Sequence, residues 1–233
     1  MHFIFYGLKR SGNHVIIHWL LRNVSKVIIE YMPSYIHRGN NIIFFNDVTN
    51  SSGAILNEVN KQMPSFIVAS VEDKYEEKLI TSHIMNNPRK VFIIRDPANC
   101  YASRVKSFDY LFPIEKFKQM YEDMLSSITE DAVVIYYDTW WTDKAYRDLV
   151  GKKLGIPNIN DTLIRTKEGG GSGFTNEDYN NRMNDIIFDK KTQNILIQLK
   201  CQMIYTIEKF SKFFSLGNHS VDPPKGKSRT FPP

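Results

Sequence analysis

The chain has 233 residues, 42% of them hydrophobic, which is enough for one sizeable packed α/β core and too apolar for a disordered polypeptide. Thirty Lys and Arg against 25 Asp and Glu give a formal charge of +5 and a pI of about 9.0, a surplus that suits a polyanionic ligand, nucleic acid or a membrane surface alike. Cys100 and Cys201 are the only cysteines, which excludes a disulfide scaffold and a Cys-based zinc site and fits a reducing compartment.

The chain opens on an apolar run that predicts a strand over 2–6, so no cleavable leader is expected ahead of it. No later run reaches the length of a membrane span, and a cytoplasmic protein is the expectation. The strand stops at Gly7-Leu8-Lys9-Arg10-Ser11-Gly12-Asn13-His14, a glycine-bracketed, cationic turn followed by a helical pattern over 13–23. Such a turn aims consecutive backbone N–H groups and a helix N-terminus at one anion. It is not a Walker A loop, because Gly12 is followed by Asn13-His14 and not by Lys and a magnesium-binding hydroxyl.

Further strands are predicted over 27–31, 66–70, 79–83, 91–95 and 132–137, and helices over 97–109, 114–128, 142–154 and 190–214. Both cysteines fall in helical patterns and read as buried. Alternating strands and helices predict a mostly parallel sheet sandwiched between two helical layers, as a single domain over 1–216. The tail 217–233, interrupted by Pro223, Pro224, Gly226, Pro232 and Pro233, is not expected to pack as an element.

The run Val91-Phe92-Ile93-Ile94-Arg95-Asp96-Pro97 ends a buried strand in a cation, with Asp96 as helix cap, Pro97 in the first helical turn and Ser103 eight residues after Arg95. Together the two motifs resemble the sulfotransferases that use 3′-phosphoadenosine 5′-phosphosulfate (PAPS). Arg10-Ser11-Gly12 matches the start of that family's phosphosulfate loop, whose two closing threonines are replaced here by Asn13 and His14. Arg95, Pro97 and Ser103 match its 3′-phosphate motif, and Val133-Val134-Ile135-Tyr136-Tyr137-Asp138 with Leu154-Gly155-Ile156 resembles a later strand, turn and closing helix. The resemblance covers residues 3 to 175, with a vague stretch at 35 to 78.

The resemblance implies a three-layer fold with a P-loop-like loop and PAPS as cosubstrate, with no metal. Lys9, Arg10, Ser11, Gly12, Asn13 and His14 would hold the phosphosulfate, with Arg10 stabilising the leaving charge. Arg95 and Ser103 would hold the 3′ phosphate, and Tyr137 would approach the adenine. Arg165, Lys167 and Gly169 lie in a glycine-rich segment similar to the loop that closes over that phosphate. Two residues compete as the base that takes the acceptor proton. His83, in Ile80-Thr81-Ser82-His83, resembles a Lys-Thr-His segment, and Glu30 sits where other branches carry a carboxylate.

The acceptor implied is a hydroxyl of a small molecule or glycan; nucleic acid is not expected as a partner. Two other readings stay open. One is a phosphotransferase on the same sheet, and the other a noncatalytic nucleotide or RNA binder using the basic clefts and the tail Lys225-Gly226-Lys227-Ser228-Arg229.

Overall fold

The structure, a computed structural model, describes residues 1–25, 36–39, 42–45, 66–73, 87–107, 112–156, 159 and 188–211. In chain order these form β1 (His2–Gly7), α1 (Asn13–Ser25), β2 (Ile36–Gly39), β3 (Ile42–Phe45), β4 (Phe66–Glu72), β5 (Arg89–Ile94), α2 (Pro97–Ser107), α3 (Ile114–Ser126), β6 (Val133–Tyr136), α4 (Tyr137–Thr142), α5 (Lys144–Leu154) and α6 (Lys190–Ser211). One mixed α/β sheet runs in the order β2-β3-β4-β1-β5-β6. Its strands are parallel except for the edge strand β2, which pairs antiparallel with β3.

Strand alternation sorts the core into two faces. Ile4, Tyr6, Ile67, Ala69, Phe92 and Ile94 pack with Tyr101 of α2, Phe117 and Tyr121 of α3, and Leu199 of α6. Phe3, Phe5, Phe66, Val68, Val91 and Ile93 pack on the other face with Leu20 of α1, Trp140 of α4, and Val150 of α5. Helices therefore cover both faces, an arrangement compatible with three layers.

This layering fixes where a ligand can go. β1 and β5 are neighbouring parallel strands, yet α1, which follows β1, and α2, which follows β5, lie on opposite faces. A crevice opens outside the carboxyl ends of two strands whose connections diverge in this way. Both sequence motifs, 7–14 and 95–103, begin at those two ends.

The predicted strands over 2–6, 66–70, 91–95 and 132–137 correspond to β1, β4, β5 and β6, while 27–31 and 79–83 lie outside the described residues. The hairpin of β2 and β3 adds two strands that the sequence reading does not contain. The predicted helix over 142–154 corresponds to α5, and a further short helix, α4, precedes it at the end of the predicted strand over 132–137. Tyr137 begins α4 directly after β6, and Asp143 then interrupts, its carboxylate accepting from the N–H groups of Ala145 and Tyr146 as the cap of α5. The predicted cap at Asp96 forms, with its Oδ1 accepting from the N–H groups of Ala98 and Asn99.

The two cysteines differ, Cys100 being buried and Cys201 exposed on α6, against the expectation that both are buried. Burial pushes the Cys100 thiol up to about 12. At pH 8 such a thiol is about 10⁻⁴ ionised, and the ionised form is the nucleophile. Titration of the native protein with a chromogenic disulfide should give one fast thiol equivalent, lost in Cys201→Ser, with the second released only on unfolding.

Candidate active site

The turn after β1 is held from three directions. Within the turn, the Ser11 N–H donates to the Leu8 carbonyl at 3.0 Å, and the Ser11 hydroxyl donates to Asn13 Oδ1 at 2.6 Å. On the β4 side, Asp73 accepts from the Lys9 N–H at 2.9 Å, and its own N–H donates to the Gly7 carbonyl at 3.2 Å. On the β5 side, Arg95 Nη1 donates to the Arg10 carbonyl at 2.6 Å. The Cys100 thiol, below the turn, faces the Lys9 carbonyl at 3.7 Å.

Both glycines that bracket the turn are dictated by space. A Cβ on Gly7 would lie 2.2 Å from Asn13 Oδ1 and 2.6 Å from Ser11 Oγ. Gly12 has φ +97°, and a Cβ there would lie 2.2 Å from Cε2 of the Tyr137 ring. Arg10 itself sits at φ 74°, an uncommon conformation for a residue with a side chain, at the apex of the turn. Positive φ outside glycine collects at functional turns.

The structure brings Arg10, Arg95 and Ser103 together. Arg10 Nε donates to Ser103 Oγ at 3.3 Å, across 93 residues of chain. Ser103 is 4% exposed and Arg95 6%, so both polar groups are nearly withdrawn from solvent. Burial, reinforced by the neighbouring Arg95 guanidinium, lowers the Arg10 pKa from its usual value. Two guanidiniums and a hydroxyl converging at the turn make a recess that an anion with several oxygens would stabilise.

Tyr137 anchors this recess from below. Its ring is buried against Gly12, the Arg95 guanidinium stands 5.2 Å from its centroid, and Trp140 and Trp141 stack behind it. Lys9 and His14 are half-buried on the turn, and Asn13 is buried with its amide donating to Glu72 Oε1 at 3.3 Å. Glu30, His83, Arg165, Lys167 and Gly169 lie outside the described residues.

Three contributors escaped the sequence reading. Asp73, Arg104 and Glu72 gather at the carboxyl end of β4, which runs two residues beyond the predicted strand. Arg104, one residue after Ser103, makes a two-pronged ion pair with Asp73 at 2.8 and 2.7 Å, with the carboxylate also holding Lys9. The only signal in the sequence is that Val71-Glu72-Asp73 closes an apolar run on two carboxylates. Both side chains of this pair are close to buried, at 10% and 14% exposure. Asp73→Ala strands the Arg104 guanidinium, and its expected cost is about 3 kcal/mol in urea denaturation. Asp73→Asn, which keeps an acceptor for Lys9, should cost less.

Comparison of the chain with protein-family models, with curated proteins and with solved structures yields no match in any of the three. Among the described residues no helix is long and apolar enough to cross a membrane.

Proposed function

We propose that this chain is a PAPS-dependent sulfotransferase. The single observation that carries the reading is the convergence of Arg10, Arg95 and Ser103 at the diverging carboxyl ends of β1 and β5. In this reading the amides of Gly12 and Asn13 and the Arg10 guanidinium hold the 5′-phosphosulfate. Arg95 and the Ser103 hydroxyl hold the 3′ phosphate about one strand spacing away. The turn lacks the Lys-Ser/Thr ending with which kinases bind magnesium, and it offers a fixed planar cation instead.

The chemistry then divides simply. An acceptor hydroxyl attacks sulfur in line with the bridging oxygen, and positive charge at Arg10 meets the electron pair that departs with the 5′ phosphate. The acceptor is proposed to be a hydroxyl of a small molecule or glycan. Incubation with sulfur-labelled PAPS in EDTA, across panels of phenols, alcohols and sugars, should yield labelled product and 3′,5′-adenosine bisphosphate. Transfer of phosphorus from ATP, lost in EDTA, would assign the site to a phosphotransferase instead.

A further inference from the structure

We infer that Glu72 is the base that takes the acceptor's proton, an inference that rests on the sulfotransferase reading. β4 lies beside β1 on the side opposite β5, and Gly7, the last residue of β1, is in register with Glu72. The turn therefore has a flank over β5 that carries the Arg95 cation and the Ser103 hydroxyl, and a flank over β4 that carries the Glu72 carboxylate and the Asp73–Arg104 pair.

In-line transfer makes these flanks unequal. A nucleotide whose 3′ phosphate lies over β5 and whose phosphosulfate lies in the turn extends its sulfur away from β5. The acceptor must then approach on the far side from the bridging oxygen, which is the β4 side. Among the described residues two carboxylates stand there. Asp73 is committed to Arg104 through both oxygens and to the Lys9 N–H. Glu72 is half-buried, joined to the turn through the Asn13 amide at 3.3 Å, and close enough to Arg10 to act on it electrostatically.

The step balances without a further reactant. The acceptor oxygen bonds to sulfur, its proton passes to the Glu72 carboxylate, and the bond from sulfur to the bridging oxygen breaks. The electron pair leaves on the 5′ phosphate of 3′,5′-adenosine bisphosphate, and Glu72 later returns the proton to water. The Asn13 amide, donating to Oε1, holds the carboxylate against the turn.

Glu72→Gln keeps the side chain's size and an oxygen for Asn13, so it separates chemistry from support. With an acceptor found by the screen above, kcat should fall 10²- to 10⁴-fold, the range for a lost general base, with affinity for 3′,5′-adenosine bisphosphate unchanged. Added formate should restore part of the rate in Glu72→Ala. Bisphosphate binding with undiminished kcat in Glu72→Gln would overturn the role of Glu72 and leave the sulfotransferase reading standing. Loss of affinity in step with kcat would reduce Glu72 to a support for Asn13. A wild-type protein that neither binds the bisphosphate nor consumes PAPS would overturn both.

Discussion

Arg95→Ala should lower affinity for 3′,5′-adenosine bisphosphate about 10- to 100-fold more than affinity for 5′-AMP. A hydrogen bond from a charged donor contributes about 1.5–3 kcal/mol, and each 1.4 kcal/mol is tenfold in affinity. Arg95 has two jobs in the recess, and the comparison separates them. Its Nη1 supports the Arg10 carbonyl, so its loss loosens the turn and weakens both nucleotides alike. In the sulfotransferase reading, its charge beside Ser103 meets only a ligand that carries the 3′ phosphate. Arg95→Lys retains charge without the planar fork and should fall between the two. Calorimetric titration of each variant with each nucleotide gives the ratio directly. A ratio that Arg95→Ala leaves unchanged would mean that Arg95 merely braces the turn.

Gly12→Ala should destabilise the protein by about 2–6 kcal/mol and abolish tight nucleotide binding. Two independent effects add at this position. A side chain at φ +97° is strained by about 1–3 kcal/mol. The new methyl would also lie 2.2 Å from the Tyr137 ring, which has little room to retreat between Arg95 and the stacked Trp140 and Trp141. Overpacking of this kind adds about 1–3 kcal/mol. For a chain of this size the thermal midpoint should fall by roughly 4–24 °C. The ring and the methyl occupy one space, so Gly12→Ala combined with Tyr137→Ala should cost less than the sum of the single changes. Strict additivity would show that the ring is not what excludes the methyl.

The parts of the fold that were legible are those where local pattern and tertiary role coincide. Residues 3–6 of β1 and 91–94 of β5 are buried on both faces and read as unbroken apolar runs, each ended by a chemical break at Gly7 or at Arg95-Asp96-Pro97. The hairpin of β2 and β3 escaped because Ile36-His37-Arg38-Gly39 and Ile42-Ile43-Phe44-Phe45 are four-residue runs, too short for periodicity to separate strand from other structure. α4 escaped because Val133 to Tyr137 continues apolar without a side-chain cap, and Asp138 falls inside the helix rather than before it.

For the site, the same distinction holds. Arg10, Arg95 and Ser103 could be named because fixed local spacing carries them. The Asp73–Arg104 pair spans 31 residues, and its bond to Lys9 spans 64; no local pattern encodes either partner. Tyr137 is packed under the turn, where its ring explains why residue 12 is glycine, a contact that no local pattern encodes.

The central claim is that the recess at the ends of β1 and β5 recognises a nucleotide by two separate phosphates. Calorimetry in EDTA, with 3′,5′-adenosine bisphosphate titrated beside 5′-AMP, ADP and ATP, tests it most directly. A preference of about 100-fold or more for the bisphosphate is expected, since a second buried phosphate gains at least one charged hydrogen bond from Arg95 and another from Ser103. Equal affinity for all four nucleotides, or none for any, would contradict it.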